Sequence, residues 1–425
     1  MKKTASLTVL ALAATAASTF AAASWPAYRG PSGDGTTDEK LAGTLWRGKG
    51  PKVVWKAPTP AGFSSFSVAD GKAFTIVSRD VDGVPSEVAI ALDAATGKEA
   101  WAFPLKPVKY DGGGDSGAQG NGGGDGPRST PTVANGKVYV MGGALNLACI
   151  DAATGKAVWE KDIVKDFGGK NIQWQNAASP LVEDGVVFVA GGGNGQALIA
   201  LKADSGETVW KAEDDKMTHA TPVAATIHGT RQIVFFTQKG LVSTDPKSGK
   251  VLWRYAFPYR ISTAASPIVS GDLVYCSAGY GVGAGCARIA REGDGFTATE
   301  LWRKEGEQVA NHWSTPICKD GYLYGMFSFK KYGSGPVCCV ELKTGEIKWS
   351  EAGFGPGNLI LTGGDTLLAL SDKGELVAIA AQPDKYKELA RAKVVDGKCW
   401  STPVLAGGRI YARSTKEAVC LDPSK

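Results

Sequence analysis

The sequence predicts an all-β fold, an eight-bladed β-propeller closed by an N-terminal strand that completes the last blade. Three observations carry this. First, a glycine is followed four residues later by tryptophan at Gly97-Trp101, Gly155-Trp159, Gly206-Trp210, Gly249-Trp253 and Gly345-Trp349. Second, the stretches between these pairs repeat a four-strand grammar at a period of roughly 40 to 60 residues, the signature of a propeller blade. Third, the last unit runs from Trp400 to Pro423 and stops before its own tryptophan strand, whereas Lys52-Val-Val-Trp-Lys56 is such a strand with no unit before it. Pairing the orphan with the incomplete unit closes a ring and removes an exposed sheet edge.

Each element of the repeat has a local cause. The unit that opens at Ser129-Thr130-Pro131 continues into an apolar strand, turns at Asn135-Gly136, returns along Lys137 to Met141, and runs back through Ala148-Cys-Ile-Asp151. The turn Asp151-Ala-Ala-Thr-Gly155 suits a short hairpin, because Asp bonds forward to the backbone and Gly takes the left-handed conformation. The fourth strand carries Trp159. Counted this way, the ring residues that precede the eight first strands are Phe63, Arg128, Ala177, His219, Ala264, Trp313, Pro356 and Trp400. The tryptophans Trp55, Trp101, Trp159, Trp210, Trp253, Trp302 and Trp349 are expected to pack each blade on its neighbour. Blade seven has Tyr386 to Lys393 where the tryptophan strand belongs, and is expected to be the least regular.

The N-terminus reads as an export signal: Lys2 and Lys3, an apolar run from Leu7 to Phe20, then Ala21-Ala22-Ala23. The expected organisation is a signal peptide at 1–23, an extension at 24–50 and a single propeller at 51–425. The mature chain would begin at Ser24, unlipidated for want of a following cysteine, in the periplasm or outside the cell. No later stretch has the length to span a bilayer. The net charge of +5 is small and scattered, which argues against nucleic acid as a partner. Eight cysteines in an exported chain suggest disulfides. Cys149, Cys339 and Cys420, however, fall where other repeats place Ala91 and Ala200, so they read as unpaired thiols in a small buried slot.

The tryptophan-docking repeat resembles that of pyrroloquinoline quinone (PQQ)-type propellers, which include quinoprotein dehydrogenases and the propeller of the outer-membrane assembly lipoprotein. Trp25-Pro-Ala-Tyr-Arg-Gly-Pro31 with Asp34-Gly35, and Gly126-Pro-Arg-Ser-Thr-Pro131, are similar to segments of secreted PQQ-binding-like propellers. The resemblance implies a binding scaffold that takes a small molecule or an envelope protein at the channel mouth. Its alternative is a PQQ-dependent alcohol or sugar dehydrogenase carrying PQQ with calcium. The calcium ligands and catalytic aspartate of such enzymes cannot be placed by motif, so catalytic and metal residues remain unassigned. Cys338-Cys339 lies in a third strand, away from the axis where those enzymes hold an adjacent-cysteine disulfide under the cofactor.

Residues that precede the first strands converge on the channel mouth. The candidate binding set is Phe63, Arg128, Trp174, His219, Asn311, His312, Trp313 and Trp400, with Gln175 and Asn176 nearby. Aromatic faces with an arginine fork suit a flat or anionic ligand; the same residues would equally serve to plug the channel. Asp111 to Gly126 offers three Asp and an Asn to calcium, or is simply a glycine-rich linker. His219, His228 and His312 are the only histidines, and no triad or zinc spacing appears.

Overall fold

A computed structural model describes residues 24–41, 45–46, 50–108, 110, 126–259, 261, 263–328 and 332–424. The signal-peptide reading of 1–23 and the calcium-or-linker reading of 111–125 lie outside the described residues. Eight sheets form the ring. They run from the innermost strand to the outermost, beginning with Ser67–Ala69 to Glu99–Pro107, Thr132–Ala134 to Ala157–Asp162, and Leu181–Glu183 to Thr208–Ala212. Blades four to six span Val223–Ile227 to Val251–Ala256, Ile268–Ser270 to Gly295–Lys304, and Ile317–Lys319 to Ile347–Glu351. Blade seven spans Asn358–Thr362 to Glu388–Lys393. Blade eight has three strands from Val404–Ala406 to Glu417–Asp422, and Lys52–Pro58 pairs antiparallel with the last of them, as expected.

The glycine-tryptophan spacing is a contact between blades. A Cβ on Gly155 would lie 2.7 Å from the Trp101 ring, one on Gly206 2.9 Å from Trp159, and one on Gly249 2.7 Å from Trp210. Gly97 receives Trp55 and Gly345 receives Trp302 in the same way. Each indole therefore lies flat on the next blade's turn, and only a residue without Cβ fits beneath it. The indole N–H then donates into that turn, from Trp101 to the Ala152 carbonyl (3.0 Å), Trp159 to Ala203 (3.0 Å) and Trp302 to Leu342 (2.9 Å). Trp253 is different: blade five has a long hairpin in place of the glycine turn, and the indole donates to Gln232 Oε1 of its own blade at 2.7 Å.

Within a blade the tryptophan belongs to a row of three. Tyr139, Cys149 and Trp159 are register partners across strands two, three and four; so are Tyr324, Cys339 and Trp349, and Tyr411, Cys420 and Trp55. Cys286 holds the same slot between Tyr275 and Trp302, a fourth case that sequence alignment had not singled out. Where the second-strand residue is Phe74 or Phe188, the slot is Ala91 or Ala200. All four thiols are free and buried, and burial pushes Cys149 and Cys420 up to about 11 and Cys339 and Cys286 up to about 12. Blade seven puts Leu368, Ala378 and Ala390 in the row. It is nevertheless regular. What it lacks is the dock: its outer strand meets blade eight through Ala392, 2.6 Å from where a Cβ on Gly50 would stand.

Serine and threonine hydroxyls at the blade entries, where the Ser-Thr-Pro triplets of blades two and eight stand, form a belt of bonds between neighbouring blades. Thr402 N–H donates to Ser65 Oγ (2.8 Å), Ser65 N–H to Thr130 Oγ1 (3.1 Å), Thr130 N–H to Ser179 Oγ (2.8 Å) and Ser179 N–H to Thr221 Oγ1 (2.9 Å). Arg413, fully buried in blade eight, seals the closing seam. It donates to Thr75 Oγ1 (2.7 Å) and to the carbonyls of Ile76 (2.9 Å) and Ala61 (2.8 Å). Burial lowers its pKa to about 9.

The extension does more than precede the propeller. Trp25 exchanges backbone bonds with Val68 of blade one, and Pro26 accepts from Val133 of blade two. Across the ring, Arg29 donates to the carbonyls of Thr315 (2.9 Å) and Pro316 (3.0 Å) at blade six. Thr36–Thr37 then adds a parallel fifth strand to blade seven. The segment thus bridges opposite blades across the channel, beside a cavity lined by Tyr28, Thr132, Leu181 and Pro222.

A paired substitution isolates the dock. Gly136 has φ +71° with open space beyond, and Gly155 has φ +73° with Trp101 against it. Gly136→Ala should cost about 1 kcal/mol of backbone strain, and Gly155→Ala about 1–3 kcal/mol more from the displaced indole. Urea unfolding of the two variants measures the difference, and equal losses would refute the dock.

Candidate functional site: an aromatic collar at the channel mouth

The loops that lead into the first strands and those joining strands two and three return to one face, where the aromatic residues meet. Trp400 stacks on Phe63 at 4.8 Å (25°) and on Trp313 at 4.4 Å (18°). Trp313 meets His312 edge-on at 4.9 Å, and His312 meets Tyr280 at 5.1 Å. Tyr280 lies parallel to Trp174 at 6.2 Å, and the Trp174 carbonyl accepts from Arg128 at 2.5 Å. Pro127, beside Arg128, accepts from the Phe63 N–H at 2.7 Å. The contacts therefore close on themselves, and six of the eight expected residues belong to this collar.

The other two lie beneath it. His219 is buried, with Nε2 3.0 Å from the Gln173 carbonyl; burial first, and the nearby Arg128 charge second, hold its imidazole down to about 4. Asn311 accepts from Tyr275 OH and donates to the Met326 carbonyl, both at 2.7 Å, so its amide supports His312 and Trp313 from below. The two arcs of the collar differ. Phe63, Trp313 and Trp400 form one stack with Tyr332 parallel to it, and Lys398 Nζ sits 5.3 Å above the Trp400 ring, within cation–π range. Arg128 is on the far arc, its guanidinium 5.4 Å over Tyr110.

Three residues of this face adopt a left-handed backbone, as do residues at turns elsewhere in the ring such as Asp70 and Asn135. Trp174 (φ 68°), Gln175 (φ 67°) and Tyr280 (φ 60°) all occupy the left-handed region, at roughly 1–3 kcal/mol each. Asn171 holds the strained turn, donating to the Gly143 carbonyl (2.7 Å) and to Gln175 Oε1 (2.6 Å). Tyr280, Tyr332, Lys398, Tyr110 and the buried Glu87 had escaped the sequence reading. That reading had counted only residues before the first strands, and Tyr280 and Tyr332 arrive on the second loop of their blades.

Residues 84–351 match the family described as outer membrane protein assembly factor BamB. The chain belongs to this family of PQQ-like propellers. It is 24% identical over 265 residues to the BamB of Shewanella oneidensis, covering 59% of this chain and 63% of that one, so it spans less than two thirds of the relative's length. In fold it is similar to BamB from Moraxella catarrhalis (TM-score 0.57, 15% identity, 87% of this chain and 99% of that). It is also similar to the quinohemoprotein alcohol dehydrogenase of Comamonas testosteroni (TM-score 0.66, 15% identity, 94% and 80%).

The collar can be tested against PQQ with calcium. Trp313 and Trp400 are in direct contact, which leaves no room for a quinone between them. Cys338 and Cys339 are buried in the third strand of blade six, where Cys338 Sγ donates to Ser350 Oγ at 3.4 Å, away from the mouth. Among the described residues, no three His, Cys, Asp or Glu side chains converge to hold a metal ion. The described donors do not fit the cofactor.

His219 gives the mouth a pH signature. Its folded pKa of about 4 lies below the ordinary 6.5, so its neutral form contributes stability that is fully present above 6.5 and is lost as pH falls toward 4. Over that window wild type should lose up to roughly 3 kcal/mol that His219→Gln does not. Urea midpoints from pH 7 to pH 4.5 for both proteins test this, and parallel curves would contradict it.

Proposed function

We propose that this is an exported binding scaffold, in the periplasm or secreted, whose collar docks a segment of an envelope protein. The observation that carries the reading is the collar itself: a closed circuit of aromatic faces, flanked by Arg128 and Lys398, at one end of a channel whose other end is crossed by the chain's own N-terminal segment. Aromatic and arginine side chains with little conformational freedom are the usual anchors of protein recognition. Kinship with an outer membrane protein assembly factor supports an envelope partner. The same kinship leaves ligand identity open, because one propeller fold hosts unrelated functions.

The test pairs two measurements on the exported protein. A photo-crosslinking residue at Tyr332 should capture a defined envelope protein in the producing cells, and the same residue at Asn135, on the opposite face, should not. Trp400→Ala should weaken that capture by about 1–3 kcal/mol in affinity, whereas Trp349→Phe, which loses the 2.9 Å bond from Trp349 to the Gln382 carbonyl at a seam, should lower stability and leave capture intact. Calorimetric titration with PQQ and calcium should give no saturable heat. Saturable binding that Trp400→Ala abolishes, with no captured protein, would overturn the docking reading in favour of a quinoprotein dehydrogenase.

A further inference from the structure

Glu87 reaches from the third strand of blade one onto the neighbouring loop of blade two. It is 1% exposed; Oε2 accepts the Gly143 N–H at 2.6 Å and Oε1 accepts the Tyr110 hydroxyl. The carboxyl lies flat on two glycines. A Cβ on Gly143 would stand 3.0 Å from Oε1, and one on Gly142 would stand 2.8 Å from Oε2. That same point over Gly142 is 2.4 Å from Asn146 Oδ1. Asn146 is 5% exposed, and its Oδ1 is buried with no hydrogen-bond partner.

Two buried acceptor oxygens beside one glycine, one of them with no donor, form a costly arrangement, because an amide oxygen stripped of water needs a hydrogen from somewhere. The Glu87 carboxyl, over the same glycine, is placed to supply one. We infer that Glu87 is a neutral acid in the folded protein, a proton-binding site that bridges blades one and two with its hydrogen on Oε2 donated to Asn146 Oδ1. The proton comes from water on folding and returns to water on ionisation, so nothing else is consumed. Burial works in the same direction and raises the carboxyl, against the pull of Tyr110, Gly143 and Arg128. Among the described residues, the titratable and charged groups facing it are Tyr110 and, from the entry to blade two, Arg128; the loop of blade two beneath it presents the uncharged Gly143 and Asn146. Tyr110 and Arg128 connect the site to the collar, since Arg128 lies over the Tyr110 ring and bonds the Trp174 carbonyl. Ionisation would set a carboxylate against a bare amide oxygen and loosen that arc, whatever docks above it.

The sign is opposite to that of His219. A carboxyl raised above its ordinary 4.5 contributes stability that is complete below 4.5 and declines as pH rises toward its folded value. Glu87→Gln, which cannot ionise, should therefore gain on wild type as pH goes from 4.5 to 7.

Infrared difference spectroscopy of the full-length protein tests the assignment directly. At pH 7 the wild type minus Glu87→Gln spectrum should show the carbonyl stretch of a protonated carboxylic acid. Asn146→Leu, which removes the acceptor, should shift the titration of that band down by about one pH unit or more. If Glu87→Gln does not fold, the Asn146→Leu titration alone carries the test. Loss of carboxylate bands in place of the acid band would show an ionised Glu87 with the Asn146 amide turned to donate, and would overturn the inference. So would an acid band whose titration Asn146→Leu leaves in place.

Discussion

An indole laid on a glycine is the contact on which this ring depends. A propeller blade buries its two faces only against its neighbours, so every blade needs a device that fixes its angle and its distance to the next. Here Trp101 on Gly155, Trp159 on Gly206 and Trp210 on Gly249 do both at once, because the bare glycine sets how close the ring can come and the indole N–H fixes its rotation. The spacing of the repeat follows from that geometry. The glycine needs its positive φ to turn the hairpin, and four residues later the same strand presents the indole that serves the next blade. The row behind the tryptophan follows too: a large ring on strand four leaves room on strand three for only a small residue, which is why cysteine, alanine and serine share that slot.

A closed ring then leaves two ends. One is crossed by the chain's own N-terminal segment, with Arg29 buried among backbone carbonyls; burial lowers its pKa, against the opposing pull of Tyr28 and Asp34. Arg413 repeats the device at the closing seam. In both, the guanidinium satisfies several carbonyls at once, and a single buried side chain ties together strands far apart in sequence. The open end is what remains for function, and there the chain accepts left-handed Trp174 and Tyr280 and buries Glu87 and His219.

Most of the fold was legible because it is periodic. The blade count, the closing strand and the buried thiols each follow from aligning one unit on another, and Cys286 was missed only because its hairpin is stretched. The Ser-Thr-Pro triplet was recognised as a marker, but its cause is a belt of bonds between blades that no single unit reveals. The threading of Trp25 to Thr37 through the channel could not be read, since its partners are backbone groups of blades one, two, six and seven, and backbone groups leave no residue signature. At the mouth, equivalence of position found Phe63, Arg128, Trp313 and Trp400. It could not find Tyr280, Tyr332 or Glu87, whose places depend on loops that differ from blade to blade.

Blade seven supplies the direct test, because it has the sheet without the dock. Native-state hydrogen exchange compares its outer strand, Glu388–Lys393, with the equivalent Ala157–Asp162 of blade two, which carries Trp159. If indole-on-glycine contacts hold the seams, the blade-seven strand should exchange first and should do so as a unit with the seam to Gly50. Equal or greater protection of Glu388–Lys393 would show that the sheets alone hold the ring and that the tryptophans merely fill it.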